Sequence, residues 1–184
     1  MLKRQAPDHQ RNALYQLRIV TRLFALLVVI LLVVGYFLPK DYHISRTTKL
    51  SVPLVQVDAY LSKAKNLPDW MYVLNGQIEK RDEPLIKGLE LAIQYESGDL
   101  GSLLVGELFT RTYHFSVVPK EGQRPVSNEI QLESLSENET LVSWSIDGVL
   151  ESGLLSPYLA LFANDIAGAN FEKSLSQLKQ ELEN

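Results

Sequence analysis

Residues 162–182 read FANDIAGANFEKSLSQLKQEL, and their apolar side chains recur with the period of an α-helix. They fall in a single stripe along that helix. The stripe consists of Phe162, Ile166, Phe171, Leu175, Leu178 and Leu182. Gly168 is expected to kink the helix, and Asn170 is placed to cap its second half. Since one amphipathic helix cannot bury its stripe alone, the rest of the chain must supply a matching surface.

Upstream of this helix, short segments alternate apolar and polar residues with the period of two that is typical of strands with one wet face. Turn sequences such as Ser97-Gly98-Asp99 separate them, which predicts an antiparallel meander. The orientation of residues 103–110 stays open, and Asn75-Gly76 fits either a hairpin turn or an ordinary loop. The alternating segments cover residues 44–52, 89–95, 103–110, 113–117, 130–133 and 142–147.

Two short helices are predicted between the first strand and the meander. Pro53 suits a helix start, and Asn66-Leu67-Pro68-Asp69-Trp70 ends that helix and opens another. The predicted soluble fold is therefore α+β, with an antiparallel sheet of about six or seven strands packed on the long C-terminal helix.

This order is that of the helix-grip fold, and four stretches resemble the polyketide cyclase/dehydrase and lipid-transport family of the SRPBCC, or START-like, superfamily. Ser51-Val52-Pro53 and residues 66–70 are similar to its "A-P" and "N-W-P-E-W" opening. Residues 141–148 resemble its last strand, and residues 168–179, GANFEKSLSQLK, resemble its "G-x-D-F-E-K-G-L-x-x-L-K" helix. The resemblance covers residues 42–184 and is weak between residues 73 and 97.

The resemblance implies a curved sheet wrapped around the C-terminal helix, with a cavity between them that takes a lipid or another apolar molecule. The chain departs from the family pattern at Leu67, where tryptophan is usual, and at Asp58, where an aromatic residue is usual. A solid core made by the same residues is the alternative. The candidate ligand-binding residues are Trp70, Leu91, Ile93, Tyr95, Tyr113, Phe115, Val117, Trp144, Ile146, Tyr158, Phe162 and Ile166.

A membrane anchor is predicted near the N-terminus. Residues 23–38 read LFALLVVILLVVGYFL without a charge, and extension back to residue 19 gives a span of about 30 Å, the thickness of a bilayer core. Arg22 is the one charged residue inside this span, and its long side chain can extend to the lipid headgroups. Tyr36 and Phe37 lie at the other end, where membrane helices carry a belt of interfacial aromatic residues. A buried core helix of a soluble protein would need a polar stripe, and this segment has none. A cleaved signal peptide would need a small-x-small cleavage site, and the segment has no convincing one.

The charge distribution predicts an orientation. Before residue 23 there are five basic residues against the single acid Asp8, whereas the whole chain has a net charge of −4. The positive-inside rule therefore predicts a cytoplasmic N-terminus at residues 1–18, a single transmembrane helix at 19–38 in the inner (cytoplasmic) membrane, and a domain at 39–184 that is periplasmic or extracellular. Many bacterial members of the resembled family carry such a segment.

The sequence gives little support for catalysis, and no cofactor or metal is expected. An acidic domain repels phosphate backbones, so nucleic acid is excluded as an expected partner. The chain has no cysteine, and neither His43 nor His114 has metal-ligand spacing with a carboxylate. There is no Gly-x-Ser-x-Gly elbow. Asp58 and Asp147 are the acids to watch, because a carboxyl group that faces a cavity can act as an acid or base.

Three functions remain open. The first is membrane-tethered binding, carrying or sensing of a lipid or other hydrophobic small molecule. The second is a non-catalytic interaction module with an envelope protein as its partner. The third is a cyclase- or dehydratase-like enzyme acting on a cyclic apolar substrate, which requires ionisable groups inside the cavity.

Overall fold

The computed structural model describes residues 8–38, 41–149 and 156–184, without the side chains of 8–14, 156–157 and 159–167. An apolar helix comes first, followed by a strand, short helices, six strands and a long helix. The elements are α1 (Asp8–Phe37), β1 (Asp41–Leu50), α2 (Leu54–Leu61), a 3₁₀ turn (Ala64–Asn66), α3 (Leu67–Trp70), β2 (Gly76–Ile78), β3 (Glu90–Tyr95), β4 (Leu100–Phe109), β5 (Thr112–Val118), β6 (Val126–Ser136), β7 (Glu139–Val149) and α4 (Ser156–Glu183).

The seven strands form one antiparallel sheet in the order β1-β7-β6-β5-β4-β3-β2. Strands β3 to β7 are the predicted meander, and β2, in the region that the sequence left open, adds an edge strand beside β3. Strand β1 pairs with β7 from Asp41 opposite Val149 to Leu50 opposite Thr140. A bulge in β4 between Val105 and Leu108 bends that strand locally. The sheet curls into a half-barrel around α4, which confirms the helix-grip prediction.

The inner face of the sheet carries the core. Leu91, Ile93 and Val142 point inward and are buried, as their alternation predicts. In β4 the inward residues are Leu103 and Val105, which settles the orientation that the sequence left open. The predicted short helices also form: Pro53 precedes α2, and α3 ends at Trp70.

Helix α4 packs across the sheet through the predicted stripe. Leu175 and Leu178 are buried, and Phe171 and Leu182 pack at the edge of the core. Helix α4 runs without a break from Ser156 to Glu183, so Asn170 does not cap a separate second helix, and the kink at Gly168 stays a prediction. The Arg46 guanidinium of β1 lies directly against Gly168, where a Cβ would have to displace it.

Side chains of α4 cover the free edge of β1. Arg46 Nε lies 2.7 Å from Glu172 Oε1, and Lys179 Nζ donates to the Lys49 carbonyl at 3.1 Å. At the far end Glu183 Oε1 accepts the Ser51 N–H at 2.6 Å. These contacts fix the position of α4 along β1 and occupy backbone groups that an edge strand otherwise exposes.

Helix α1 contains an exposed apolar stretch from Tyr15 to Phe37 that is long enough to cross a membrane. A signal sequence would have the same length and composition. The helix begins at Asp8, well before the predicted span, so Arg18 and Arg22 lie on the helix itself.

Candidate ligand pocket

A pocket of about 280 Å³ lies between the inner face of the sheet, the segment after α3 and the middle of α4. Its lining is aromatic, aliphatic and amide, and none of the described residues around it is charged. The lining residues are Tyr42, Met71, Tyr72, Val73, Leu74, Ile93, Tyr95, Val117, Pro119, Val126, Asn128, Trp144, Ile146, Asn170 and Phe171.

The pocket lies at the end of the sheet where the chain arrives from α1. Tyr42 is at the start of β1, Tyr95 closes β3, Val126 opens β6 and Ile146 is near the end of β7. Antiparallel pairing brings these strand ends together. Since β1 begins four residues after Phe37, at most about 14 Å of chain separates the apolar helix from this end of the sheet.

Trp144 forms the centre of the pocket wall. The Phe171 ring stacks on it at 4.3 Å between centroids, and Trp70 and Phe115 pack against it at 5.5 and 5.9 Å. The indole Nε1 donates to Asn128 Oδ1 at 3.1 Å. These contacts hold the ring in one orientation within the pocket wall.

Asn128 is the buried polar residue of the wall. Its Nδ2 donates to the Val126 carbonyl at 2.9 Å, and its Oδ1 accepts from Trp144. A side-chain amide can make four hydrogen bonds, so Asn128 retains capacity for two more. The amide can therefore bind one polar group of an otherwise apolar molecule.

The segment after α3 forms the rim of the pocket and is tied to α4. Ser174 Oγ accepts the Tyr72 N–H at 2.9 Å and donates to the Asn170 carbonyl at 2.8 Å. The ammonium group of Lys173 lies 3.5 Å from the centre of the Tyr72 ring. Leu74, in contrast, is 55% exposed, so the rim presents an apolar side chain to its surroundings.

Two of the pocket tyrosines, Tyr42 and Tyr95, hold their phenolic protons more tightly than a free tyrosine does. Burial raises the pKa of Tyr42 and of Tyr95 above the ordinary value of 10.0. Their hydroxyls therefore act as hydrogen-bonding groups at neutral pH and do not supply negative charge.

The candidate residues named from the sequence divide into four groups. Ile93, Tyr95, Val117, Trp144 and Ile146 line the pocket together. A second group belongs to the buried core outside the lining and comprises Trp70, Leu91, Tyr113 and Phe115. Tyr158, near the start of α4, lies against α1. Phe162 and Ile166 lie outside the described side chains.

Sequence reasoning missed the pocket residues that lie at strand ends and on the rim. Tyr42, Val126 and Asn128 flank predicted strands, and their inward direction depends on where those strands begin. Phe171 was identified as part of the helix stripe but not as pocket lining. Its position four residues before the buried Leu175 was the available signal.

Asp58 does not reach the pocket. Tyr113, at 8% exposure, donates its hydroxyl to Asp58 Oδ1 at 2.7 Å and lies 3.1 Å from the Asp58 carbonyl oxygen. Burial, and then the hydrogen bond and charge of Asp58, raise the pKa of Tyr113. The pair keeps the phenol protonated and ties α2 to β5, which is a structural role.

Other polar groups form surface features. Asp147 is exposed and lies 2.7 Å from His43 Nδ1. A wider groove of about 720 Å³ follows the outer face of β3 and β4, but its Arg81 is paired with Glu79 at 2.9 Å and Glu83 at 3.5 Å. Over the described residues, no group of three or more potential metal ligands occurs.

The fold is shared with solved structures of low sequence identity. Protein CV1439 from Chromobacterium violaceum is 15% identical with a TM-score of 0.59, and the match covers 78% of this chain and 99% of that one. A START superfamily protein from Mycobacterium smegmatis is 14% identical with a TM-score of 0.54 over 77% of this chain and 97% of that one. DynU16, a protein in the dynemicin biosynthetic locus, is 12% identical with a TM-score of 0.58 over 77% of this chain and 47% of that one.

These likenesses define the class of fold: the chain has the START-like helix-grip architecture, preceded by an apolar helix. No protein-family model matches the sequence, and no curated protein matches it significantly.

Proposed function

We propose that the protein is a membrane-anchored binder that carries or senses a lipid or another hydrophobic small molecule in the pocket around Trp144. The observation that supports this most is the position of an uncharged, aromatic pocket at the anchor end of the sheet. A pocket placed there is within a short distance of the bilayer, where apolar molecules partition.

The size of the pocket limits what it holds. At about 30 Å³ for a water-sized group, 280 Å³ holds roughly nine methylene-sized groups. Burying nine methylenes yields about 7 kcal/mol before the cost of association is subtracted. The pocket therefore takes one acyl segment or a compact ring system, with the polar end of the molecule at Asn128 or at the rim.

The proposed topology follows the charge pattern. Residues 1–18 are cytoplasmic, residues 19–38 span the inner membrane, and residues 39–184 form the domain on the other side. Over the described part of the chain, the pocket lining holds tyrosines but no carboxylate, histidine or lysine to act with them as an acid–base pair, which favours binding over the enzymatic alternative.

Intrinsic fluorescence offers a direct test, because the only two tryptophans, Trp70 and Trp144, contact each other at the pocket. The full-length chain is reconstituted in phosphatidylethanolamine–phosphatidylglycerol vesicles with brominated acyl chains. Bromine quenches indole emission on contact. An acyl chain that enters the pocket therefore quenches Trp144, whereas chains that stay in the bilayer do not reach it.

Two matched variants sharpen this test. Val117→Phe narrows the pocket, and Val118→Phe makes the same change on the opposite face of β5, outside the lining. Quenching is expected in the wild type and in Val118→Phe, and is expected to fall several-fold in Val117→Phe. Equal emission from brominated and ordinary vesicles in the wild type would contradict lipid binding and favour the envelope interaction module.

A further inference from the structure

The first turn of helix α4 contacts α1. Tyr158 lies twelve residues before the pocket residue Asn170, which is about 18 Å along a helix. Its ring lies against Gly35, where an added Cβ would come within 3.1 Å of the ring. The Tyr158 hydroxyl donates to the Leu31 carbonyl. The two helices therefore meet at a defined contact.

Gly35 is distinct within the apolar stretch of α1. It is buried, whereas every other residue from Tyr15 to Phe37 is exposed. Glycine allows close helix approach in a bilayer, where small residues mark helix–helix interfaces. Because Gly35 has no side chain, the ring of Tyr158 in α4 can pack directly against its backbone.

The hydroxyl of Tyr158 has a hydrogen-bond acceptor, the Leu31 carbonyl, which it needs if it is to lie in an apolar environment. In lipid an unpaired polar group costs several kcal/mol, so a hydroxyl there must donate a hydrogen bond to an acceptor within the protein. The Leu31 carbonyl has two lone pairs, of which the α-helical ladder uses one. A tyrosine so placed can lie inside the hydrocarbon region.

The depth of this contact follows from α1. Leu31 lies six residues before Phe37, or about 9 Å along the helix from the end of the apolar stretch. If α1 spans the membrane, Tyr158 is then below the headgroups. The local sequence suits that position, because residues 157–163 read PYLALFA without a charge.

We propose that the first turns of α4 enter the bilayer beside α1, with Gly35 and Tyr158 as the helix–helix contact. This inference rests on the proposed membrane span of α1 but not on ligand binding. Helix α4 then runs as one rod from the hydrocarbon region to Phe171 at the pocket. It then sets the height of the pocket above the membrane.

Cysteine chemistry tests this contact, because the chain has no cysteine of its own. Gly35→Cys/Tyr158→Cys and the control Val34→Cys/Tyr158→Cys are expressed as full-length protein and treated in native membranes with a short bis-methanethiosulfonate cross-linker. A linker is used because Tyr158 reaches Gly35 with the tip of its ring, so two cysteine side chains alone would not meet. Free thiols are then counted by gel shift with a maleimide-polyethylene glycol. Loss of both thiols is expected in the first pair and retention of both in the control. Equal retention in the two pairs would overturn the contact.

A second measurement does not depend on how Gly35→Cys folds. The single variant Tyr158→Cys is labelled with a membrane-impermeant maleimide and compared with Glu137→Cys, which is exposed in the turn between β6 and β7. Labelling at position 158 is expected to be at least tenfold slower, and equal rates would overturn the inference.

Carbonate extraction separates the two proposals. Release of the full-length chain into the soluble fraction contradicts the proposed anchor. A retained chain that labels rapidly at position 158 contradicts only the insertion of α4.

Discussion

Replacing Tyr113 with phenylalanine tests whether the Tyr113–Asp58 pair is structural or belongs to a reactive site. The variant loses a hydroxyl that donates to Asp58 Oδ1 at 2.7 Å and keeps the ring in the core. A hydrogen bond to a charged group contributes about 1.5–3 kcal/mol. Because Asp58 is only half-buried, a value near the lower end, about 2 kcal/mol, is expected.

That loss is measurable as thermal stability. At roughly 2–4 °C per kcal/mol for a domain of this size, Tyr113→Phe should lower Tm by about 4–8 °C. Thermal unfolding of the full-length chain in detergent, followed by tryptophan emission, gives the value. Asp58→Asn keeps an acceptor for the hydroxyl, so its expected loss is smaller, about 1 kcal/mol.

Ligand binding separates the two interpretations. Because the pair lies outside the pocket lining, both variants should retain wild-type quenching by brominated lipid at temperatures where they are folded. Unchanged stability in Tyr113→Phe, or loss of quenching without loss of stability, would refute the structural interpretation and return Asp58 to consideration as a functional acid.

Three further changes have expected outcomes. Tyr60→Phe should stabilise the protein by about 1 kcal/mol in chemical denaturation, because over the described residues the buried Tyr60 hydroxyl has no hydrogen-bond partner. Burial raises the pKa of Tyr60 to about 12, so the folded state holds this proton more tightly than the unfolded state. The free energy of unfolding of the wild type should therefore fall as the pH rises from 10 to 12, and it should fall less steeply in Tyr60→Phe. Gly148→Ala should cost about 1–3 kcal/mol and weaken quenching by lipid, because the new methyl group would displace the Tyr42 ring from the pocket wall. Leu178→Ala should cost about 2–5 kcal/mol in thermal unfolding, since this fully buried side chain joins α4 to the sheet. A cost below about 1 kcal/mol for Leu178→Ala would show that α4 is not a core element.

The sequence predicted the fold well because its signals are local. The stripe of α4 and the alternation of β3, β5 and β7 each follow from side-chain spacing within one element. Pro53 and the turn at Ser97-Gly98-Asp99 mark boundaries through their backbone preferences. Antiparallel order then follows because neighbouring strands joined by short turns pair with each other.

The pocket was predicted only in part because its lining depends on distances between elements. Alternation shows that Leu91 and Ile93 share a face, but not that Ile93 borders the pocket while Leu91 lies in the core outside its lining. Gly168 illustrates the same limit. Its sequence context favoured a kink, but could not show that the Arg46 guanidinium of another element lies against it.

Tyr158 shows a different limit of sequence reasoning. The sequence placed it among the helix residues that face the sheet, but its ring meets α1 at Gly35. The position of α1 relative to α4 cannot be read from periodicity.

Native mass spectrometry of the full-length protein, purified from its membranes in mild detergent, tests the account at its centre. We expect one small apolar adduct per chain that survives detergent removal, persists in Val118→Phe and is lost in Val117→Phe. A wild-type chain that shows only its own mass, before and after incubation with membrane lipids, would contradict the existence of a ligand-holding pocket.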